Sequence, residues 1–258
     1  MRLAAVEREW ESAKELELRP KDIPWLRVFL EGAVIVGSIL LAFALDAWWD
    51  NRNREDELRE QLQVVAGEME STRQALQRAL SAHELNAHLA EQLTSALGQV
   101  AEGSEVVVSD TLIGPLLPQV TADVTTGSLD SFIAAGGLEL VDDADIRRHL
   151  LEWPTRIQDL QDDEIYLRNF AAAELASYLR VHSDVANAER LSTPLLRARF
   201  GAGPPVDSSL LGTVTLRREQ HLMNLLAARE SGERTIRPGL VEMVDQAARI
   251  VAALEGLQ

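Results

Sequence analysis

The side chains that could do acid–base or metal chemistry are scattered along this sequence. None of the five histidines has the HExxH or two-histidine-one-carboxylate spacing of a catalytic metal site, and the two nearest, His83 and His88, do not share a helix face. No GxSxG, P-loop or GxGxxG motif is present. Cysteine is absent, which excludes disulfides and thiolate sites. We therefore predict no catalytic residue, no cofactor and no metal ligand, and expect that the chain is not an enzyme.

Two acidic runs have simple structural explanations. Asp142, Asp143 and Asp145 lack the glycine and the distal glutamate of a calcium-binding EF-hand loop. We predict that Asp142 caps a helix and that the other two carboxylates lie in its electropositive first turn. The second run comprises Asp159, Asp162, Asp163 and Glu164, and we predict that it forms a solvated helix face.

The composition narrows the classes of function further. The chain has 258 residues, a net charge of −16 and 46% hydrophobic residues. That apolar fraction is too high for a disordered chain. The acidic field disfavours contact with phosphates, so we predict no nucleic-acid partner.

The first 49 residues contain a predicted membrane anchor. Residues 32–45 carry no charge, and four of the five tryptophans lie in this first part of the chain, at positions 10, 25, 48 and 49. Trp25 and Trp48 are separated by about 35 Å along a helix, which suits the two interfacial belts of a bilayer. We predict a tail over 1–24 and a transmembrane helix over 25–49.

Two alternatives to a retained anchor were considered. A buried core helix of a soluble protein can be equally apolar. A cleaved signal peptide is suggested by the A-x-A pattern at Ala42-Phe43-Ala44. Against cleavage, about 30 residues precede the apolar run and their basic and acidic residues balance, whereas a signal peptide usually begins with a short basic segment.

The residues of the anchor suggest an interface and a weak self-association signal. Glu31 lies one turn after Arg27, so the two can form an ion pair near the membrane surface. Glu31 could instead belong to a helix–helix contact or a proton-sensitive site. Two small-xxx-small pairs support a homo-oligomer through the membrane and stalk helices. The predicted anchor and interface residues are Trp25, Arg27, Glu31, Gly37, Ser38, Ala42, Asp46, Trp48 and Trp49.

A long helical stalk is predicted over 50–101. Apolar positions alternate by four and three residues from Leu58 to Val100, which is a 3.5-residue period over six heptads. Thr72, His83 and Asn86 are polar exceptions to this stripe. Because a second leucine stripe widens the apolar face, packing inside a helical bundle is favoured over a two-stranded coiled coil.

The rest of the chain, 102–258, is predicted to be a helical distal domain, so the fold class is all-α. We expect a short helix over 110–117 capped by Ser109, and a helix that ends at Gly136 or Gly137. An extended link at 138–141 and a helix toward Val181 should follow. Further helices are expected from Thr193-Pro194 to Phe200 and, at the end, over about 208–230 and 236–256.

The pattern E-x6-S-x3-A-x3-D-x-WW-x2-R over Glu31–Arg52 resembles a family of uncharacterised bacterial single-pass membrane proteins. The segment 124–153 also resembles that family's pattern of a short helix, an acidic cap and a Leu-Arg pair. Ser38 and Ala135 depart from the family's usual residues. The resemblance covers about 25–155 and implies architecture and a bacterial inner-membrane location, with no activity attached.

These observations predict a membrane-anchored helical interaction or scaffold protein whose protein partner is unknown. An extracytoplasmic ligand-sensing domain on one anchor is the alternative, and a membrane-bound enzyme is a third. Within about 18 residues of the apolar run, four basic residues lie on its N-terminal side and three on its C-terminal side, which favours an N-terminus inside and a periplasmic distal domain.

Overall fold

The computed structural model describes residues 25–256, so the predicted tail at 1–24 lies outside the described residues. The chain divides after Asp56 into two units, 1–56 and 57–258, and each is considered by itself. The described part is almost entirely helical, which confirms the all-α fold class. Its first helix, α1, runs from Trp25 to Gly98.

Short elements follow α1. They are β1 Glu105–Ser109, α2 Asp110–Ile113, α3 Gly127–Ala134, and two 3-10 turns at Gly114–Leu116 and Gly137–Leu140. The helix α4, Ala144–Phe170, continues through a π-helical turn at Ala171–Leu175 into α5, Ala176–His182. The chain ends with α6 Ala186–Arg199, a 3-10 turn Ser208–Leu210, β2 Thr213–Arg217 and α7 Gln220–Glu255.

The second half of α1 belongs to the folded unit. Its apolar stripe from Leu58 to Leu97 is buried, and the polar exceptions Thr72, His83 and Asn86 are buried with it. The compact unit begins at Glu57 and includes both the predicted stalk from that residue onward and the predicted distal domain. The stripe packs against residues of α4, α7 and the intervening segments, which is bundle packing within one chain.

The core consists of two apolar clusters. One joins Leu62–Leu80 of α1 to residues between Ile146 and Leu167 of α4 and to Ile236–Leu254 of α7. The other joins Leu89–Leu97 of α1 to the strands, to α5 and α6, and to Leu222–Leu226 of α7. Both helices α1 and α7 thus leave a gap between the clusters, at 81–88 and 227–235.

The predicted helix ends are confirmed in part. Ser109 caps α2 by accepting from the Thr111 amide, as predicted. The helix α3 stops before Gly136, whose φ of 85° requires a left-handed conformation that glycine adopts without strain. The acidic cap is Asp143 and not Asp142, because the Asp143 carboxylate accepts from the amides of Asp145 and Ile146. The segment 138–141 was predicted to be extended, but most of it forms a 3-10 turn.

The C-terminal third differs most from prediction. The helix α6 begins at Ala186, so Pro194 lies inside it and not in its first turn. One helix, α7, replaces the two predicted over 208–256, with Pro238 in its interior.

A strand was missed at Thr213–Arg217. It pairs antiparallel with β1, and Val107 lies opposite Thr215. Val214 and Leu216 are buried while their neighbours in the strand are exposed, the alternation expected of a half-buried strand.

Candidate functional site

The N-terminal part of α1 is long and apolar enough to cross a membrane, and none of its apolar window is buried inside the chain. Trp25 at one end and Trp48 and Trp49 at the other are all more than half exposed. A core helix would be mostly buried, so this exposure favours a membrane anchor or a signal sequence, which both pass the same test of length and composition. An exposed apolar surface of this size is unfavourable in water and is stabilised by a nonpolar environment.

The structure places the predicted anchor residues on one helix without bringing them into a site. The Arg27 guanidinium donates to the Glu31 carboxylate at 3.0 Å, as the spacing predicts. The Ser38 hydroxyl donates to the Val34 carbonyl at 2.7 Å, so its hydrogen-bonding need is met within the helix. A Cβ atom added at Gly37 would meet nothing within 4 Å. Self-association through Gly37, Ser38 and Ala42 stays a prediction.

Inside the folded unit, polar and charged side chains fill the gap between the two apolar clusters. We call them the polar layer: His83 and Asn86 from α1, Glu164 from α4, and Arg229 and Glu233 from α7. Each is at most 1% exposed. Buried charges are costly unless they are paired and hydrogen-bonded, so the partners of each decide what the layer does.

His83 lies between two carboxylates that come from different helices. Its Nδ1 forms a short hydrogen bond with Glu233 Oε2. Its Nε2 lies 3.6 Å from Glu164 Oε1, at ion-pair distance. Both oxygens of Glu164 also accept from the Ala122 amide, at 2.9 and 3.1 Å. One imidazole therefore links α1 to α4, to α7 and, through Glu164, to the segment that precedes α3.

Arg229 balances the second carboxylate. Its Nη1 lies 3.0 Å from Glu233 Oε1 and donates to Gln119 Oε1 at 2.6 Å. Its Nη2 donates to the Pro118 carbonyl at 3.2 Å. When the Asn86 amide is oriented to donate to the Pro115 carbonyl, its oxygen accepts from the same Nη2 at 3.2 Å. The layer thus joins helix α7 to the chain around Pro115–Gln119.

Proton binding in the layer is shifted by these contacts. Burial by itself lowers the pKa of His83, but the contacts with the carboxylates of Glu164 and Glu233 and their charges outweigh burial and raise the pKa above its ordinary value of 6.5. Burial lowers the pKa of Arg229, and the Glu233 charge opposes that shift. Because arginine titrates far above neutrality, its guanidinium keeps its charge.

The titratable side chains of the polar layer lie on either side of one imidazole. The two carboxylates contact opposite ring nitrogens of His83, so the three groups do not converge on one point. Among residues 25–256, no group of three His, Asp or Glu side chains could hold a metal ion. Each member of the layer is also closed off from solvent.

Sequence reasoning missed most of this layer. The apolar stripe presents His83 and Asn86 only as polar exceptions. The acidic run predicts a solvated Glu164, whereas Glu164 is buried while Asp162 and Asp163 beside it are exposed. The available signal was spacing, because Leu160, Glu164 and Leu167 fall on the buried face of α4.

A second feature is an apolar groove of about 650 Å³ between α6 and the segment 202–210. Its apolar lining includes Leu191, Pro194 and Val206, and two arginines, Arg190 and Arg197, stand two turns apart on α6. Arg190 donates to Asn187. The carboxylate of Asp207 lines the groove and accepts from the Ser209 amide, which lowers its pKa.

Comparison with protein-family models, with curated proteins and with solved structures found no match to this chain. The resemblance of residues 31–52 and 124–153 to a bacterial membrane family therefore stays a prediction.

Proposed function

We propose that this chain is a membrane-anchored interaction protein, in which residues 25–49 insert into a bilayer and the helical unit from Glu57 onward binds another protein. The observation that carries the proposal is the exposed apolar half of α1, edged by tryptophans. A structural role of the charges in the polar layer is consistent with this proposal, because all of them are buried.

The finer location is part of the same proposal. The resemblance over residues 31–52 and the slight excess of basic residues before the anchor support a bacterial cytoplasmic membrane with the N-terminus inside. The acidic helical unit would then face the periplasm.

Exposed apolar side chains of α4 form a surface of the helical unit at which partner binding can be tested. Tyr166 is 70% exposed and borders a groove between α4 and α7. Leu151 and Ile165 of the same helix are exposed as well. Single apolar side chains are common on surfaces, so the test must be specific to position.

We expect a photo-crosslinking amino acid at Tyr166 to capture one partner of defined mass in native membranes. The same amino acid at Asp130, an exposed polar position of α3, is the matched control and should give no adduct. Mass spectrometry identifies the captured chain. Adducts with a second copy only would replace a hetero-partner with self-association, and no adduct at Tyr166, Leu151 or Ile165 would contradict the proposal.

Ligand sensing is the second candidate function, and the groove beside α6 favours it. An apolar lining with two arginines suits a small molecule that has an apolar body and a carboxylate. Arg197 lines this groove, where its guanidinium could donate to an anion.

We expect 2-naphthoate to shift the backbone NMR signals of Ala202 and Val206 in the full chain, and the neutral 2-naphthamide to shift them far less. Arg197→Gln should weaken naphthoate binding about tenfold, since a charge-assisted hydrogen bond contributes roughly 1.5–3 kcal/mol. Arg199→Gln, outside this groove, is the control. Equal shifts with acid and amide would show that the arginines do not select an anion.

A further inference from the structure

The two carboxylates around His83 restrict its protonation state. A neutral imidazole carries one N–H and one lone pair, so it can donate to only one carboxylate and presents its lone pair to the other. Both ring nitrogens of His83 face carboxylate oxygens, Glu233 Oε2 at Nδ1 and Glu164 Oε1 at Nε2. Only the doubly protonated imidazolium is attracted to both.

Charge balance leads to the same assignment. The charged groups that face one another are Glu164 from α4, Glu233 and Arg229 from α7, and His83 from α1. Asn86 is neutral, and so is Gln119, whose Nε2 lies 3.4 Å from His83 Nδ1. With His83 protonated the layer holds two positive and two negative charges, whereas a neutral His83 leaves an unbalanced buried carboxylate, which costs several kcal/mol.

We propose that His83 is a proton-dependent link that holds α1 to α4 and α7, and that its deprotonation loosens the polar layer between the two apolar clusters. The contact with Glu164 is lost first, because it is the longer one at 3.6 Å and because Glu164 retains the Ala122 amide as a donor. The Glu233 contact keeps the remaining proton, on Nδ1. This inference concerns the folded unit alone and does not depend on the proposed membrane function.

The polar layer lies between the two apolar clusters, so its loosening would weaken the contact of α1 with α4 and α7 at that level. In α1 it lies between Leu80 of one cluster and Leu89 of the other, and in α7 between Leu226 and Ile236. Over 227–235 of α7 no apolar side chain is buried, and over 81–88 of α1 the buried apolar side chains are the small Ala82 and Ala87, while Leu85 packs on the second cluster. The ionic contacts therefore carry much of the contact between the helices at this level. Regions held by few apolar contacts are those that open locally without global unfolding.

The sign of the linkage to stability follows from the raised pKa of His83. A group whose pKa is higher in the folded than in the unfolded chain stabilises the fold fully below its unfolded value, 6.5 here, and this contribution disappears as pH rises through the folded pKa. The unfolding free energy should therefore fall over that window in the wild type.

The direct test is histidine side-chain ¹⁵N NMR on the full chain in nanodiscs, with the His83 signal assigned from its absence in His83→Gln. Over a pH titration we expect both ring nitrogens of His83 to keep the imidazolium shift above pH 6.5, the ordinary pKa of histidine. A His83 that is already neutral at pH 6.5 would overturn the proposal, and this measurement needs no variant other than the one used for assignment.

Glu164→Gln separates a proton link from a merely structural contact. The amide oxygen of glutamine can still accept from the Ala122 amide, but it carries no charge to hold the second proton. We expect His83 to bind its proton about tenfold or more weakly in this variant. Asp163→Asn, an exposed neighbour on α4, is the matched control and should leave the titration of His83 unchanged. An equal effect of both substitutions, or none, would contradict the assignment.

Hydrogen exchange reports the loosening itself. The backbone amides of α4 around Glu164 should lose protection beyond the ordinary effect of pH as His83 deprotonates, while the Ala122 amide, which still donates to Glu164, should keep its protection. His88→Gln should behave as the wild type. Protection of α4 that stays unchanged through the titration would show that the link does not control the layer.

Discussion

Arg229→Met should destabilise the folded unit by about 3–5 kcal/mol, the cost of removing one partner from a buried ion pair. The substitution leaves Glu233 with His83 alone, and it removes the donors to Gln119 and to the Pro118 carbonyl. The methionine side chain is similar in length, so lost packing contributes less than lost charge. Chemical denaturation of the full chain in a mild detergent, followed by circular dichroism, measures the change.

Arg234→Met is the matched control for this prediction. Arg234 lies five residues further along α7 and pairs with Glu91 and Glu230, but its side chain is 56% exposed. Exposed ion pairs contribute about 0–1 kcal/mol, so this variant should unfold close to the wild type. If Arg229→Met and Arg234→Met were equally stable, the polar layer would not be held by its charges.

Restoring the charge balance should recover part of the loss. In Arg229→Met/Glu233→Gln, His83 and Glu164 remain as one oppositely charged pair, and no buried carboxylate is left without a counter-charge. Replacement of both members of a buried pair is often close to neutral, whereas removal of one is not. We therefore expect the double variant to be more stable than Arg229→Met alone. A further loss would show that the individual hydrogen bonds outweigh the charge balance.

The apolar pattern of the sequence predicted the helical architecture, but it did not predict the contacts between buried polar side chains. A 3.5-residue period between Leu58 and Leu97 identifies the buried face of α1 because burial of that face is a property of the helix itself. The partners of that face lie up to about 150 residues away, as His83 and Glu233 do, and periodicity carries no information about which distant side chains meet. Glu164 is an example. An acidic residue within an acidic run is expected to be exposed to solvent unless its distant partner, here His83, is known.

The missed strand has the same physical origin. Thr213–Arg217 alternates buried and exposed positions, but five residues of alternation are too few to distinguish a strand from a helix end. Its partner β1 lies about a hundred residues earlier, and the Gly212 amide is fixed by the buried carboxylate of Asp110 at 2.7 Å. The pairing depends on this long-range contact, which single-sequence patterns do not report. The Ser109 cap could be predicted because the hydroxyl and the amide that it accepts from, that of Thr111, lie two residues apart.

Two arginines in the apolar half of α1 should release the protein from the membrane. Val36 and Leu40 lie near the middle of residues 25–49 and on one helix face, and both are exposed. Each arginine at the centre of a span costs about 2.5–3.5 kcal/mol of insertion free energy, so Val36→Arg/Leu40→Arg loses roughly 5–7 kcal/mol. We expect the wild type to stay in the pellet after alkaline extraction and the double variant to appear in the supernatant.

The control variant, Gln63→Arg/Val64→Arg, places the same two charges on exposed positions of the folded unit and should stay in the pellet. A wild-type protein extracted intact would refute the anchor, and one shortened by about 44 residues would show that the apolar helix is a cleaved signal sequence. Protease added to spheroplasts then tests orientation, because the helical unit is digested only if it lies outside. Protection of that unit would mean that the anchor is inserted in the opposite direction. Insertion itself would still be supported, because the exposed apolar surface drives it, whereas only the flanking charges set the direction.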